Sequence, residues 1–134
     1  MMKWNVIEGL KYTRKHEWLR KENGDHAVIG LSDYAQDKLG EIVFVELPDV
    51  GSNVEAGKGA AVIESVKAVA DLYAPADGEV VEVNEDLLDQ PELINKDPYD
   101  GGWVFKIKMT NANQLSDLMD KAVYEGFIID EEEK

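Results

Sequence analysis

Short stretches in which apolar and polar residues alternate recur along the chain, which is the pattern of half-buried β-strands. The clearest covers residues 103–109, with four large apolar side chains on one face and two lysines on the other. Further short strands are predicted at 28–31 and 80–83. Residues 42–45 are apolar without alternation, which predicts a strand that is buried on both faces.

Helical patterns are confined to two places, and the first follows Leu31. A short helix is predicted to begin at Ser32 or Asp33 and to end at Gly40. Gln36 lies three residues after Asp33, which is the spacing of a capping box.

The second helix is predicted near the C-terminus, at about 112–125. Leu115, Leu118 and Ala122 follow helical spacing and form a face that should pack on the β core. The acidic residues 130–134 that follow are expected to form a solvated, frayed tail.

Clusters of Gly, Pro, Asn and Asp separate the predicted strands, as turns do. Many short strands divided by such turns predict a mainly β sandwich or barrel, here with short peripheral helices. A chain of 134 residues is most simply one domain, so we expect a single unit over 1–134.

The charge of the chain argues against one class of partner. There are 28 acidic and 14 basic side chains, which give a net charge of −14. A field of this sign repels phosphate backbones and argues against nucleic-acid binding. It would also steer the protein toward basic patches on partners, although solubility alone explains the same charge. No apolar run approaches the length that crosses a bilayer, so no membrane partner is expected.

Cysteine is absent, and His16 and His26 are the only histidines. A disulfide framework, a zinc-thiolate site and a cysteine nucleophile are therefore excluded, and two histidines are too few for most metal sites. Any sulfur redox chemistry must come from an attached group. The first residues resemble neither a secretory signal nor a transit peptide. A bacterial cytoplasmic protein is expected, although a processed chain of the mitochondrial matrix would look the same.

The segment 59–75 around Lys67 permits two interpretations. An amphipathic helix would place Glu64, Lys67 and Asp71 in one polar stripe, with Lys67 as an ordinary surface lysine. The β-branched residues of the segment and its flanking Gly and Pro instead favour a hairpin with Lys67 near the tip. The residues alone favour the hairpin only slightly.

Several motifs stand in a fixed order from about Leu10 to Phe127. They are His16-Glu17-Trp18, Asp33-Tyr34-Ala35-Gln36, Leu39-Gly40, Val43-Phe44-Val45-Glu46-Leu47-Pro48, Glu64-Ser65-Val66-Lys67, Tyr73-Ala74-Pro75, Gly78, Pro91-Glu92-Leu93-Ile94-Asn95, Pro98-Tyr99 and Gly102-Trp103. In order and spacing the sequence resembles the H protein of the glycine cleavage system, a family of lipoyl carriers. The Glu-Ser-Val-Lys motif is the most specific part, because its lysine carries the lipoyl group in that family.

The resemblance implies a flattened β-barrel or sandwich of the lipoyl-domain type, with lipoate attached covalently to Lys67 at the tip of a hairpin over about 59–75. It implies a carrier that is not itself an enzyme. The expected partners are a pyridoxal-phosphate glycine decarboxylase that loads an aminomethyl group, a folate-dependent aminomethyltransferase that removes it, a dihydrolipoyl dehydrogenase that reoxidises the arm, and the lipoylating enzymes.

The resemblance also implies roles for residues around the lysine. Glu17 and Asp71 match acidic positions that hold the loaded arm, while Glu64 and Ser65 are expected to help the lipoylating enzyme recognise the hairpin. Many relatives have a serine before the aspartate, whereas this chain has Ala70, which puts any hydrogen bond from that hydroxyl in doubt.

Three other functions fit the same architecture. A biotin carrier shares the lysine at a hairpin tip, but biotinyl domains typically flank that lysine with methionines, whereas Val66 and Ala68 stand here. An unmodified interaction module and a relay that passes lipoyl groups to other enzymes are the remaining alternatives. Glu17 favours the glycine role over the relay.

Overall fold

Nine short strands form two antiparallel sheets in a computed structural model that describes residues 2–134. The strands are β1 (Lys11–Tyr12), β2 (Glu17–Lys21), β3 (His26–Leu31), β4 (Ile42–Glu46), β5 (Asn53–Val54), β6 (Gly59–Ser65), β7 (Val69–Tyr73), β8 (Gly78–Val83) and β9 (Phe105–Met109). The large sheet has the order β1-β2-β3-β9-β8-β5, and the small sheet has the order β4-β6-β7. The expected mainly β fold of the sandwich type is confirmed, with two separate sheets in place of one closed barrel.

The main core lies between the two sheets. Alternate residues of β9, Phe105, Ile107 and Met109, are buried, as the alternating pattern predicted, and they join Ile63 from the small sheet in one apolar cluster. The strand begins at Phe105, so the predicted start at Trp103 is two residues early.

β4 departs from the sequence prediction. Ile42 and Val45 are buried, but Val43 and Phe44 between them are both exposed, so the prediction of a strand buried on both faces is wrong. The pairing of β4 with β6 shifts register between Ile42 and Phe44. This irregularity adds one residue to β4 and turns two consecutive side chains outward.

The first predicted helix is confirmed as α1 (Asp33–Leu39). Ser32 is the N-cap, because its hydroxyl accepts a hydrogen bond from the Ala35 amide. The helix ends at Gly40, which has a φ of 85°. The predicted capping box does not form, because Gln36 Oε1 accepts from Asn95 and not from the amide at the helix start, while Gln36 Nε2 donates to the Asp33 carboxylate.

The predicted C-terminal helix is confirmed, but its predicted bounds of 112–125 are wrong. A 3-10 helix (Ala112–Asp117) comes first, and a separate helix, α4 (Lys121–Glu132), follows it. The Asp120 carboxylate accepts a hydrogen bond from the Val123 amide and so begins a new helix. Apolar spacing of three residues suits 3-10 and α-helices equally, which is why the pattern merged the two. Two four-residue helices, α2 (Asp86–Asp89) and α3 (Leu93–Lys96), complete the fold.

The prediction of a frayed acidic tail over 130–134 is also wrong, because α4 extends to Glu132. Glu131 approaches the His16 ring at 3.1 Å, and Glu132 accepts a hydrogen bond from Tyr34 and forms an ion pair with Lys38 at 2.9 Å. Glu131 and Glu132 are therefore held by partners on the rest of the fold, which sequence spacing does not reveal.

A second apolar cluster joins α4 to the large sheet. The rings of Tyr12 and Tyr124 are stacked with centroids 4.2 Å apart, and Trp18 is fully buried beside them. Tyr124 also contacts Ser32 and the His16 ring through its hydroxyl, at 2.6 and 2.9 Å. These contacts hold the turn that leads into β2.

Gly30 is predicted to be irreplaceable for steric reasons. A Cβ at this position would lie 2.7 Å from Cζ2 of Trp18, whose ring is buried and whose Nε1 donates to the Pro98 carbonyl. Gly30→Ala should therefore lower the free energy of unfolding by about 1–3 kcal/mol in urea denaturation. Gly126→Ala is the control: its Cβ meets open space in α4, and it should raise stability by about 0.5–1 kcal/mol. Equal stability of both variants would contradict the packing argument.

Candidate functional site

Lys67 lies at the exposed tip of the β6–β7 hairpin, so the hairpin interpretation of this segment is the one that the structure supports. The Ser65 amide donates to the Ala68 carbonyl at 2.8 Å and closes the turn. The Ser65 hydroxyl oxygen accepts hydrogen bonds from the amides of Lys67 and Ala68, at 3.2 and 3.1 Å. A serine at this position therefore fixes the backbone of the residue that projects the amine.

The turn is also attached to the loop that follows α1. The Val66 amide donates to the Glu41 carbonyl at 2.9 Å. The aliphatic stem of Lys67 lies over Gly40: a Cβ at Gly40 would be 3.5 Å from Lys67 Cε. Gly40 therefore serves two needs, a positive φ at the helix end and a flat surface under the lysine stem.

Asn95 organises the loop beneath the lysine. Its Nδ2 donates to the Gly40 carbonyl and to Gln36 Oε1, both at 2.9 Å, and its Oδ1 accepts from the Ile42 amide at 2.9 Å. One side chain thus joins α1, α3 and β4. An open cleft of about 510 Å³ runs between α1 and α3 and shares Gly40 with the lysine stem.

Glu17 is a buried carboxylate, with 1 % of its surface exposed. Its Oε2 accepts a hydrogen bond from the Tyr73 amide at 3.1 Å, and its Oε1 accepts one from the Thr13 hydroxyl. Because Glu17 begins β2 and Tyr73 ends β7, this carboxylate connects the two sheets. Burial raises the pKa of Glu17, against the opposing effect of these hydrogen bonds.

Asp71, unlike Glu17, has its side chain in solvent. It is exposed on the outer face of β7, opposite Val62. Within residues 2–134 it forms no hydrogen bond or ion pair with Lys67 or Glu17, so the two expected acidic residues do not form one preassembled pocket. Its side chain lies beside Gly59, where a Cβ would be 3.6 Å from Asp71 Cγ.

Glu64 and Ser65 face opposite sides of β6. Glu64 is partly exposed on the outer face, between its cross-strand neighbours Phe44 and Val69. Ser65 is buried and uses its hydroxyl within the turn. Ser65 therefore fixes the backbone conformation of the tip, whereas Glu64 presents a carboxylate to solvent.

Two kinds of feature are absent from the described residues. Across 2–134 there is no cluster of three or more His, Cys, Asp or Glu side chains that would hold a metal ion. Nor does any helix there have the length and apolar character needed to span a membrane.

Comparison with known proteins identifies the family to which the chain belongs. The family model described as the glycine cleavage H-protein matches residues 10–131. The chain belongs to the glycine cleavage H-protein family. The glycine cleavage system H protein of Klebsiella pneumoniae is 54% identical over 127 residues, which cover 95% of this chain and 98% of that protein.

Two further relatives agree. The H protein of Escherichia coli O7:K1 is 52% identical over the same shares of the two chains. The crystal structure of an H protein from Mycobacterium marinum superposes with a TM-score of 0.83, at 36% identity, and covers 90% of this chain and 97% of that one. The H-protein fold therefore extends over almost the whole molecule.

The sequence predicted Gly40 only as the end of a helix and gave no role to Asn95 or Thr13. The structure places Gly40 under the Lys67 stem, Asn95 against Gly40, and Thr13 against Glu17. Gly40 and Asn95 both stand within motifs that carried the family resemblance, but a motif does not say which atoms meet. Thr13 carried a weak signal: it lies four residues before Glu17 in a turn, a spacing at which a hydroxyl can reach back.

The raised pKa of Glu17 has a measurable consequence. A carboxyl whose folded pKa lies above its unfolded value stabilises the fold below the unfolded pKa, and this contribution is lost as pH rises through the folded pKa. The stability of Glu17→Gln relative to wild type should therefore increase from below pH 4.5, the ordinary glutamate value, to pH 7. Urea unfolding across this range tests the slope, and any pH-independent effect of the amide cancels. Parallel pH profiles for the two proteins would contradict it.

Proposed function

We propose that this chain carries a lipoyl group on Lys67 and serves the glycine cleavage system as its mobile carrier. The observation that carries the proposal is an exposed lysine on a turn fixed from both sides by Ser65 and Glu41, in a chain of the H-protein family. Within residues 2–134 no carboxylate lies within 4.0 Å of the Lys67 ammonium, so the amine is open to acylation.

The tip of the hairpin fits a swinging arm for a physical reason. A covalent arm serves several enzymes only if its base is rigid and its far end is free. The hydrogen bonds of Ser65 and of the Val66 amide order the base, while the lysine stem supplies the first flexible bonds. The lipoyl group, once attached, would supply a disulfide that accepts a one-carbon unit and two electrons. The chain has no cysteine to compete with it by disulfide exchange.

Glu17 is proposed to hold the ammonium of the cargo on the loaded arm. An ionised carboxylate has about four acceptor positions. Two of these are used by Thr13 and the Tyr73 amide, and an ammonium brought against the remaining lone pairs would form a charge-assisted hydrogen bond. The same burial that raises the pKa of Glu17 strengthens its attraction for a cation. Asp71, exposed on the outer face of β7, is proposed as a second, outer carboxylate for the arm.

Glu64 and Ser65 are proposed to guide the lipoylating enzyme. Glu64 offers it a charge on the outer face, and Ser65 acts through the shape that its hydroxyl imposes on the turn. Both act before the arm exists, and neither takes part in the chemistry of glycine.

The proposed partners act in sequence on the arm. A pyridoxal-phosphate glycine decarboxylase loads it, a folate-dependent aminomethyltransferase unloads it, and dihydrolipoyl dehydrogenase reoxidises it. The chain itself is proposed to be no enzyme, because its partners bring the reactive cofactors. The relatives named above are bacterial, which supports the expectation of a cytoplasmic protein.

Lys67→Arg should abolish lipoylation, because arginine keeps the positive charge but offers no amine that can form the amide. Intact-mass spectrometry of protein expressed in lipoate-competent cells should show a lipoyl increment on wild type and none on the variant. Lys58→Arg is the matched control, since Lys58 is an exposed lysine near the other end of β6. A wild-type chain without the increment, or a Lys67→Arg chain with it, would refute the attachment site.

Glu17→Gln should shorten the life of the loaded arm. The amide has the shape of the carboxylate but no charge, so the ammonium loses its counterion and ammonia should be released faster. The rate of ammonia release from loaded wild type, Glu17→Gln and Asp71→Asn measures the contribution of each carboxylate. Equal rates for wild type and Glu17→Gln would remove the role proposed for Glu17.

A further inference from the structure

Four exposed apolar side chains surround the tip of the Lys67 hairpin, and together they are called the tip patch: Val43, Phe44, Val66 and Val69. Each exposes between 48% and 68% of its surface. Phe44 and Val69 flank Glu64 on the outer face of the small sheet, Val43 precedes Phe44, and Val66 precedes Lys67 in the turn. A group of exposed apolar residues of this kind, on either side of one carboxylate, is typical of an interaction surface.

The irregularity in β4 creates half of this patch. A regular strand that buries Ile42 would turn Val43 outward and Phe44 inward. Here the register shift between Ile42 and Phe44 leaves both Val43 and Phe44 outside while Val45 returns to the core. Irregularities of this kind re-aim side chains near functional sites. The fold thus leaves in solvent, on the outer face of the small sheet, an aromatic ring that a regular strand would have buried.

The tip patch is surrounded by carboxylates whose negative charge is not neutralised by ion pairs within the described residues. The three strands of the small sheet contain Glu46, Glu64 and Asp71 and no lysine or arginine, and Glu41 lies beside the turn. None of these four carboxylates takes part in an ion pair within the described part of the chain. Lys67 is the one cation of the tip turn, and acylation removes its charge. A surface that covers the patch must therefore be apolar at its centre and carry Lys or Arg at its rim.

We propose that the tip patch is the docking surface of the enzyme that acylates Lys67. This rests on the function proposed above. Amide formation requires the acyl carbon to approach Nζ of Lys67 to about 3–3.5 Å, so the acylating enzyme must close over the turn itself. Enzymes that act at the far end of the completed arm do not need to touch the turn. Of the proposed partners, the acylating enzyme is the one whose chemistry requires the patch to be covered.

The step that the patch serves is an acyl transfer. The Lys67 ammonium loses one proton to solvent, and its lone pair attacks the carbonyl carbon of an activated lipoyl donor, a mixed acyl phosphate anhydride. The C–N bond forms, and the C–O bond to the phosphate breaks. The phosphate leaves with the bonding electrons, and the second nitrogen proton passes to solvent. No oxidant or reductant is needed.

A second copy of this chain is a poor occupant of the patch. Two copies related by a two-fold axis would bring Glu41, Glu46 and Glu64 of each against the same acidic rim of the other. Like charges brought together in this way oppose association. The acidic rim therefore selects a basic partner and keeps the carriers apart.

The test replaces apolar surface without changing charge or strand propensity. The double variant Phe44→Thr/Val69→Thr removes the centre of the patch, and threonine retains the preference for strands. Val50→Thr, a similarly exposed valine in a turn away from the patch, is the control. Acylation by a purified ATP-dependent lipoate ligase, followed by intact mass, should give a kcat/KM lower by about tenfold for the double variant, mostly through KM, and within about twofold of wild type for the control.

A charge reversal tests the rim separately. Glu46→Lys should lower kcat/KM for acylation and weaken its dependence on salt, because one attraction to the basic rim of the ligase is lost. Glu79→Lys makes the same change on β8 of the large sheet and should have a smaller effect on both. If the two reversals act equally, net charge alone explains the result and the rim is not a docking feature.

Four outcomes would overturn the proposal. Acylation of the double variant at wild-type efficiency would remove the docking role and leave the carrier function intact. Failure of the wild type to accept lipoate would remove both. Equal losses in acylation and in oxidation of the pre-acylated, reduced chains by dihydrolipoyl dehydrogenase would show a general docking surface and not one for the acylating enzyme. Sedimentation of wild type as a dimer that Phe44→Thr dissociates would assign the patch to a second copy.

Discussion

A buried carboxylate connects the sheet that carries the lysine to the rest of the molecule. Glu17, at the start of β2, accepts a hydrogen bond from the last residue of β7, and Thr13 holds its other oxygen. A carboxylate in such a place lowers stability relative to a neutral group, because burial disfavours its charge. Its presence is understandable if the charge is used, and a cationic cargo on the arm of Lys67 would use it. The same side chain thus belongs to the fold and to the proposed site.

The two faces of the hairpin have different surroundings. The inner face of β6 is buried in the core through Ala61, Ile63 and Ser65, which makes the base of the hairpin rigid. The outer face stays in solvent and presents apolar and acidic side chains around the lysine. A rigid inner face holds the lysine in place, and an apolar, anionic outer face suits transient recognition by the enzyme that acylates it.

Helix α4 holds α1 and the turn before β2 in place. Glu131 and Glu132 contact His16, Tyr34 and Lys38, so the C-terminal helix supports both α1 and the turn before β2. His16 adopts a positive φ of 73° in that turn. Burial lowers the pKa of His16, while the nearby Glu131 acts in the opposite direction. The residue next to Glu17 is therefore fixed by an element more than a hundred positions away in the sequence.

Much of the fold and the exposed lysine proposed as the attachment site could be predicted from the sequence. Alternation located β9, capping and glycine located α1, and a set of ordered motifs around Lys67 indicated the family. These signals depend on neighbouring residues or on the order of motifs along the chain, so they can be recognised in the sequence without the structure. Local spacing of apolar residues was insufficient where a 3-10 helix and an α-helix have the same spacing. At residues 112–125 the pattern therefore predicted one helix in place of a 3-10 helix and the start of α4.

The tertiary structure decided what the side chains meet. The apolar run at 42–45 specified a strand, but only its position at the edge of a three-stranded sheet and its shifted register left Val43 and Phe44 in solvent. The sequence identified Glu17 and Asp71 as acids, and only the packing buried one and exposed the other. Burial and contact depend on residues far apart in the chain, whereas periodicity and caps depend on neighbours. The sequence by itself therefore determined the strands, the turn and the lysine, and the fold determined the environment of the lysine.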